Sequence, residues 1–172
     1  MSHRLLSRAL LFASLAAPAL LPSAIATAQD PPHSHTAVPE DLKMDNHAKG
    51  LFDVKLTAQT DEGGDAKIGR MLLDKQFHGD LQATSKGQMV STMGQVKGSA
   101  GYVAMERVVG SLHGRKGSFV LQHSGTMNRG APHLIVTVVP DSGTDELTGL
   151  VGSMNIIVAE GKHSYEFVYA LE

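Results

Sequence analysis

Three ionisable side chains stand where chemistry could be done: Lys75 in "DKQFHGDL" (74–81), Glu106 in "GYVAMERV" (101–108) and His123 in "GSFVLQHSG" (117–125). A carboxylate beside an imidazole or an ammonium in an apolar enclosure is the usual makeup of an acid–base site. Burial and mutual charge there move pKa values away from their solution range. Such a group suits proton transfer or cyclisation on a small apolar substrate. The simpler account is that Lys75 and Glu106 pair structurally, or run along the wall to a barrel mouth.

The remaining candidates are weaker. "HSH" offers His33 and His35 to copper or zinc, but it sits among prolines with no second ligand cluster. "DSGTDE" (141–146) holds three carboxylates without the residue order of a calcium loop, and reads as a turn. His123 and Ser124 are adjacent, so on a strand they face opposite sides and form no nucleophile–base pair. "GRKG" (114–117) is a basic hairpin tip. No glycine-rich phosphate loop leads into a helix, and no cofactor is expected.

Strand parity says which of these groups point inward, because successive side chains alternate faces. Lys75 shares a face with Met71, Leu73 and Phe77, whereas Asp74, Gln76 and His78 lie opposite. Glu106 is in phase with Tyr102 and Val108, and His123 with Phe119 and Leu121. In "HSYEFVYAL" (163–171), His163 runs with Tyr165, Phe167, Tyr169 and Leu171. The candidate ligand-lining set is therefore Phe77, Tyr102, Phe119, Leu121, Tyr165 and Phe167.

The elements that must hold these residues are short alternating runs. They are 51–57, 68–77, 79–85, 101–108, 117–125, 133–139, 153–159 and 163–171. "DEGGD", "GRKG", "PDSGTDE" and "EGK" separate some of them with residues that tolerate positive φ or pre-set a bend. Gly69, Gly79, Gly110, Gly125, Gly149 and Gly152 stand where a strand would start or bend. Helical period is missing throughout, apart from a turn's worth in "VPEDLKMDNHA" (38–48). Eight strands at this spacing predict an all-β fold: a closed or nearly closed antiparallel barrel, which leaves no edges to aggregate.

Residues 1–28 carry a basic start, a 13-residue apolar run and "ATA", the order of a secretory signal peptide. Residues 29–45, with three prolines, read as a flexible linker, and 46–172 as the barrel domain. Residues 29–172 hold 13 Lys and Arg against 17 Asp and Glu, with no Trp and no cysteine. That balance argues against nucleic acid, and after cleavage no apolar run remains to engage a membrane. Without disulfides, an exported domain in the periplasm or medium rests on packing and hydrogen bonds alone.

Three separated motifs, "DKQFHGDLQATSKGQM", "AGYVAMERVVGSLHGRKGSFVLQHSGTM" and "VVPDSGTDELTGLVGSM", resemble the bacterial domain-of-unknown-function family 3224. The resemblance spans residues 46–172. It implies a small barrel similar to allene oxide cyclase, which often associates into oligomers, and it implies no established activity. The leading expectation is a small hydrophobic or amphipathic ligand held in the barrel. The rivals are a cofactor-free isomerase or cyclase using Glu106 with His123 or Lys75, and a solidly filled structural barrel.

Overall fold

The computed structural model describes residues 43–60 and 63–172. The signal segment, most of the linker, His33 and His35 lie outside the described residues. Eight antiparallel strands run in chain order around a closed barrel. They are β1 (Asn46–Gln59), β2 (Ile68–Gly79), β3 (Leu81–Met93), β4 (Ala100–Leu112), β5 (Arg115–Asn128), β6 (Ala131–Val138), β7 (Leu150–Ala159) and β8 (Lys162–Leu171). The eight-stranded all-β expectation is met. The helical turn anticipated at 38–48 is not: within its described part, Asn46–Ala48 already pair with Phe167–Tyr169 of β8. Among the described residues the one non-strand element is a 3-10 turn at Asp145–Leu147.

Tight turns fix the register of three hairpins. His113–Gly114, Arg129–Gly130 and Glu160–Gly161 all have positive φ at both positions, the backbone twist that two-residue hairpins favour. Pairing then runs without interruption from Leu81↔Leu112 to Met93↔Ala100 between β3 and β4, and from Ala100↔Met127 to Leu112↔Arg115 between β4 and β5. One seam is different. β6 and β7 close the barrel through a single pair, Thr137↔Ser153.

The two halves of the interior are unlike. At the end carrying the β2–β3 and β4–β5 turns, Phe77, Leu81, Leu112, Phe119, Tyr165 and Phe167 are buried. Phe119 stacks on Phe167 at 5.8 Å, Phe167 on Tyr169 at 5.3 Å, and Phe77 meets Tyr165 edge-on at 5.7 Å, geometries that aromatic pairs favour. The loop 139–149 folds over this end. Ser142 Oγ accepts from Val120 N at 3.1 Å, Thr144 Oγ1 accepts from Ser118 N at 3.0 Å, and Leu147 drops into the core. At the opposite end the inward-facing Val54, Met71, Met89, Tyr102 and Ile156 stay half-buried, and Leu134 stays exposed.

Candidate functional site

The barrel register brings four polar side chains from consecutive strands to one level. Lys75 of β2 pairs with Ser85 of β3, Gly87 of β3 pairs with Glu106 of β4, and Ala104 of β4 pairs with His123 of β5. All four polar residues are buried, Glu106 completely. Lys75 Nζ donates to Glu106 Oε2 at 2.7 Å, and Ser85 Oγ donates to Glu106 Oε1. His123 Nε2 lies 3.0 Å from Glu106 Oε2. That nitrogen points off the line of a good hydrogen bond and has no other partner. The Lys75 ammonium also sits 4.9 Å from the Phe52 ring centroid and 5.6 Å from that of Phe77. It is thus held between the aromatic end and the carboxylate.

Gly87 makes this level possible. A Cβ there would stand 2.6 Å from Met105 O and 3.1 Å from Glu106 Cβ, so only glycine lets β3 approach the Glu106 backbone this closely. Burial by itself pushes the Glu106 carboxyl up. The His123 contact, the Lys75 charge and the hydrogen bonds from Lys75 and Ser85 outweigh it, and the pKa falls to about 2. On the same strand, beyond Ala104, Tyr102 is raised by burial and by the Glu106 charge.

The chain matches the family model described as "Protein of unknown function (DUF3224)" over residues 48–169. It belongs to that family. A crystal structure of a DUF3224-family protein of unknown function from Shewanella oneidensis MR-1 is similar, with TM-score 0.70 and 53% identity. The match covers 74% of this chain and 97% of that one. The search of curated proteins gave no match. Family membership therefore carries the barrel and leaves the activity open.

Within this DUF3224 barrel, parity correctly brings Lys75, Glu106 and His123 together. The outward set is also as read: His78 Nε2 meets Asp53 at 3.2 Å, and Asp74 accepts from Lys86 across the surface. Of the six candidate lining residues, Phe77, Phe119, Leu121, Tyr165 and Phe167 are sealed into the closed half, each no more than 1% exposed. Tyr102 alone reaches the open half. Tyr165 has a fixed structural task, since its hydroxyl accepts from Leu81 N at 2.8 Å and donates to His78 O at 3.1 Å. Ser85 was the residue missed. Its signal was the alternation Leu81, Ala83, Ser85 at the start of β3, all three buried.

The other motifs are occupied by structure. In "DSGTDE", Asp145 accepts from Thr144 Oγ1 at 2.9 Å and Glu146 from Lys116 N at 2.8 Å, so the carboxylates turn to different partners. Among the described residues no group of three His, Cys, Asp or Glu is arranged to hold a metal ion. "GRKG" begins with Gly114 of the His113–Gly114 turn and continues as the first three residues of β5.

Proposed function

We propose that the barrel binds a small, largely apolar molecule in its open half, with the polar end of that molecule facing the Lys75–Glu106–His123 cluster. The observation that carries this reading is the asymmetry of the interior. One half is packed solid by aromatic rings, while inward-facing Val54, Met71, Met89, Tyr102, Leu134 and Ile156 keep contact with solvent. An apolar wall with a few fixed polar groups at its base is the usual build of a small-molecule site. His123 Nε2, buried 3.0 Å from Glu106 Oε2 without an aligned hydrogen bond, is the polar atom of the cluster whose partner a small rearrangement could change. Toward the same half no pair between β6 and β7 follows Thr137↔Ser153, which supports this seam as the side entrance.

Binding is favoured over catalysis by the state of Glu106. A carboxylate with a pKa of about 2 is ionised at neutral pH and is a weak proton acceptor. The second reading, a cofactor-free isomerase or cyclase, draws on the 3.0 Å approach of His123 to Glu106, with His123 as the proton carrier. In that case Glu106→Gln abolishes turnover in a folded protein. We place the barrel outside the cytoplasm, a proposal supported by the basic, apolar and "ATA" segments of residues 1–28. Native mass spectrometry of protein purified from its own host tests the binding reading, with a retained small molecule as the expected result. A bare protein mass, with no thermal shift across a panel of lipids and terpenoids, overturns it.

A further inference from the structure

A second concavity, about 950 Å³, lies on the outside of the wall formed by β2 to β5. Its outward-facing lining includes Leu72, Val90, Val103 and Met105, with Gln88 and Gln122 among them and Lys86 and Arg107 at one border. Leu73, Gly87, Glu106 and His123 also line it, yet their side chains point inward, so they contribute backbone to its floor. The wall dips outside the level where Gly87 draws β3 and β4 together.

The register arranges the outer surface in rows. Val90 is opposite Val103, Gln88 lies between Leu72 and Met105, and Lys86 is directly opposite Arg107. The four apolar side chains are between 41% and 57% exposed; Val90, Val103 and Met105 are neighbours on one face, and Leu72 lies across Gln88 from Met105. Single exposed apolar residues are ordinary, but a continuous group in a depression marks a binding surface. The cationic row is just as informative. Like charges directly opposite on neighbouring strands destabilise a sheet. Here Asp74 serves Lys86, while Arg107 reaches a neutral hydroxyl, Ser118 Oγ, at 2.9 Å. Of these two adjacent cations only Lys86 has a carboxylate partner, so Arg107 stands beside the apolar trough without one. On the far side, in the row of Val90, Arg70 Nε is buried without a partner.

We infer that the outer groove binds a free long-chain carboxylate, its tail along Leu72, Val90, Val103 and Met105 and its head on Lys86 and Arg107. The site is separate from the barrel interior, with the β2–β5 wall between them.

Fluorescence titration with 11-(dansylamino)undecanoic acid and with its methyl ester tests the assignment on the full chain. Val103→Asp is expected to weaken the acid at least tenfold without changing the melting temperature, and Met105→Glu serves as the second variant. Lys86→Gln with Arg107→Gln is expected to weaken the acid while leaving the ester within twofold. Leu51→Asp, on the exposed outer face of β1 away from the groove, is expected to leave both probes unchanged. No binding of the acid, or binding that survives Val103→Asp and Met105→Glu, overturns the inference. So does light scattering that shows a dimer split by Val103→Asp, which would make this face an interface between copies.

Discussion

Lys75 and Glu106, 31 residues apart on β2 and β4, meet at 2.7 Å with both side chains closed off from solvent. A buried pair of this kind is costly to break from one side, because the survivor keeps its charge without compensation. Lys75→Met is therefore expected to destabilise the barrel by about 3–5 kcal/mol. Glu106→Gln in the same chain is expected to restore much of the loss. Urea unfolding of both single variants and the double variant gives the coupling directly. Independent, additive effects would show that the two groups do not act as a pair.

The same carboxylate sets an acid limb. Glu106 titrates at about 2 in the folded chain, against 4.5 as its ordinary value. A depressed carboxyl contributes stability that is full above its unfolded pKa and is lost as pH falls through the folded one. The window is thus from about 4.5 down to about 2, and the shift corresponds to roughly 3 kcal/mol. Thermal melts from pH 6 to pH 2 are expected to show a steep fall in the wild type. Glu106→Gln is expected to be less stable at pH 6 yet flatter across this window. An equally steep fall in that variant assigns the acid sensitivity to other carboxyls.

Tyr102 is placed by a missing side chain. A Cβ on Gly125 would stand 2.2 Å from Tyr102 Cε1, so the ring lies against bare backbone. Gly125→Ala is expected to cost about 1–3 kcal/mol by overpacking. Most of that cost is expected to vanish in a Tyr102→Ala background. A loss of equal size in both backgrounds would trace the effect to the strand backbone of β5 and not to the ring.

Much of this arrangement could be read from alternation alone, but alternation has a blind direction. It assigns a face and says nothing about depth along the barrel axis. Phe119 and Tyr102 are both inward, yet one is sealed in the aromatic end and the other borders the open half. β3 shows a second limit. From Ser85 its inward residues are Ser85, Gly87, Met89 and Ser91, while Val90 faces out. Polar and small side chains point in because they meet the charged cluster and the open half, and an apolar trough occupies the outside. The usual greasy-inside pattern is inverted there, so the strand read as ending near residue 85 runs on to Met93. The seam is invisible to sequence for another reason. β6 and β7 each alternate normally, and their loss of mutual pairing is a property of two strands together.

That seam gives the last test. Beyond Thr137↔Ser153 no further pair joins the two strands, and Leu134, Ile135, Ile157 and Val158 are exposed along them. Exposed apolar strand edges are ordinarily covered, charged or interrupted. Pro132 interrupts β6, but Met154–Ala159 of β7 carries neither proline nor charge. An edge left this way suits an opening that must part and close. The chain has no cysteine, so an engineered pair reports cleanly. Ile135→Cys with Asn155→Cys, two residues past the existing pair in the same register, is expected to crosslink under oxidant only when the seam closes. The crosslinked protein is expected to take up an interior ligand at least tenfold more slowly, and reduction to restore the rate. Thr137→Cys with Ser153→Cys, at the point already paired, is expected to leave uptake unchanged. Uptake that is equally fast with the seam locked would assign entry to the barrel mouth.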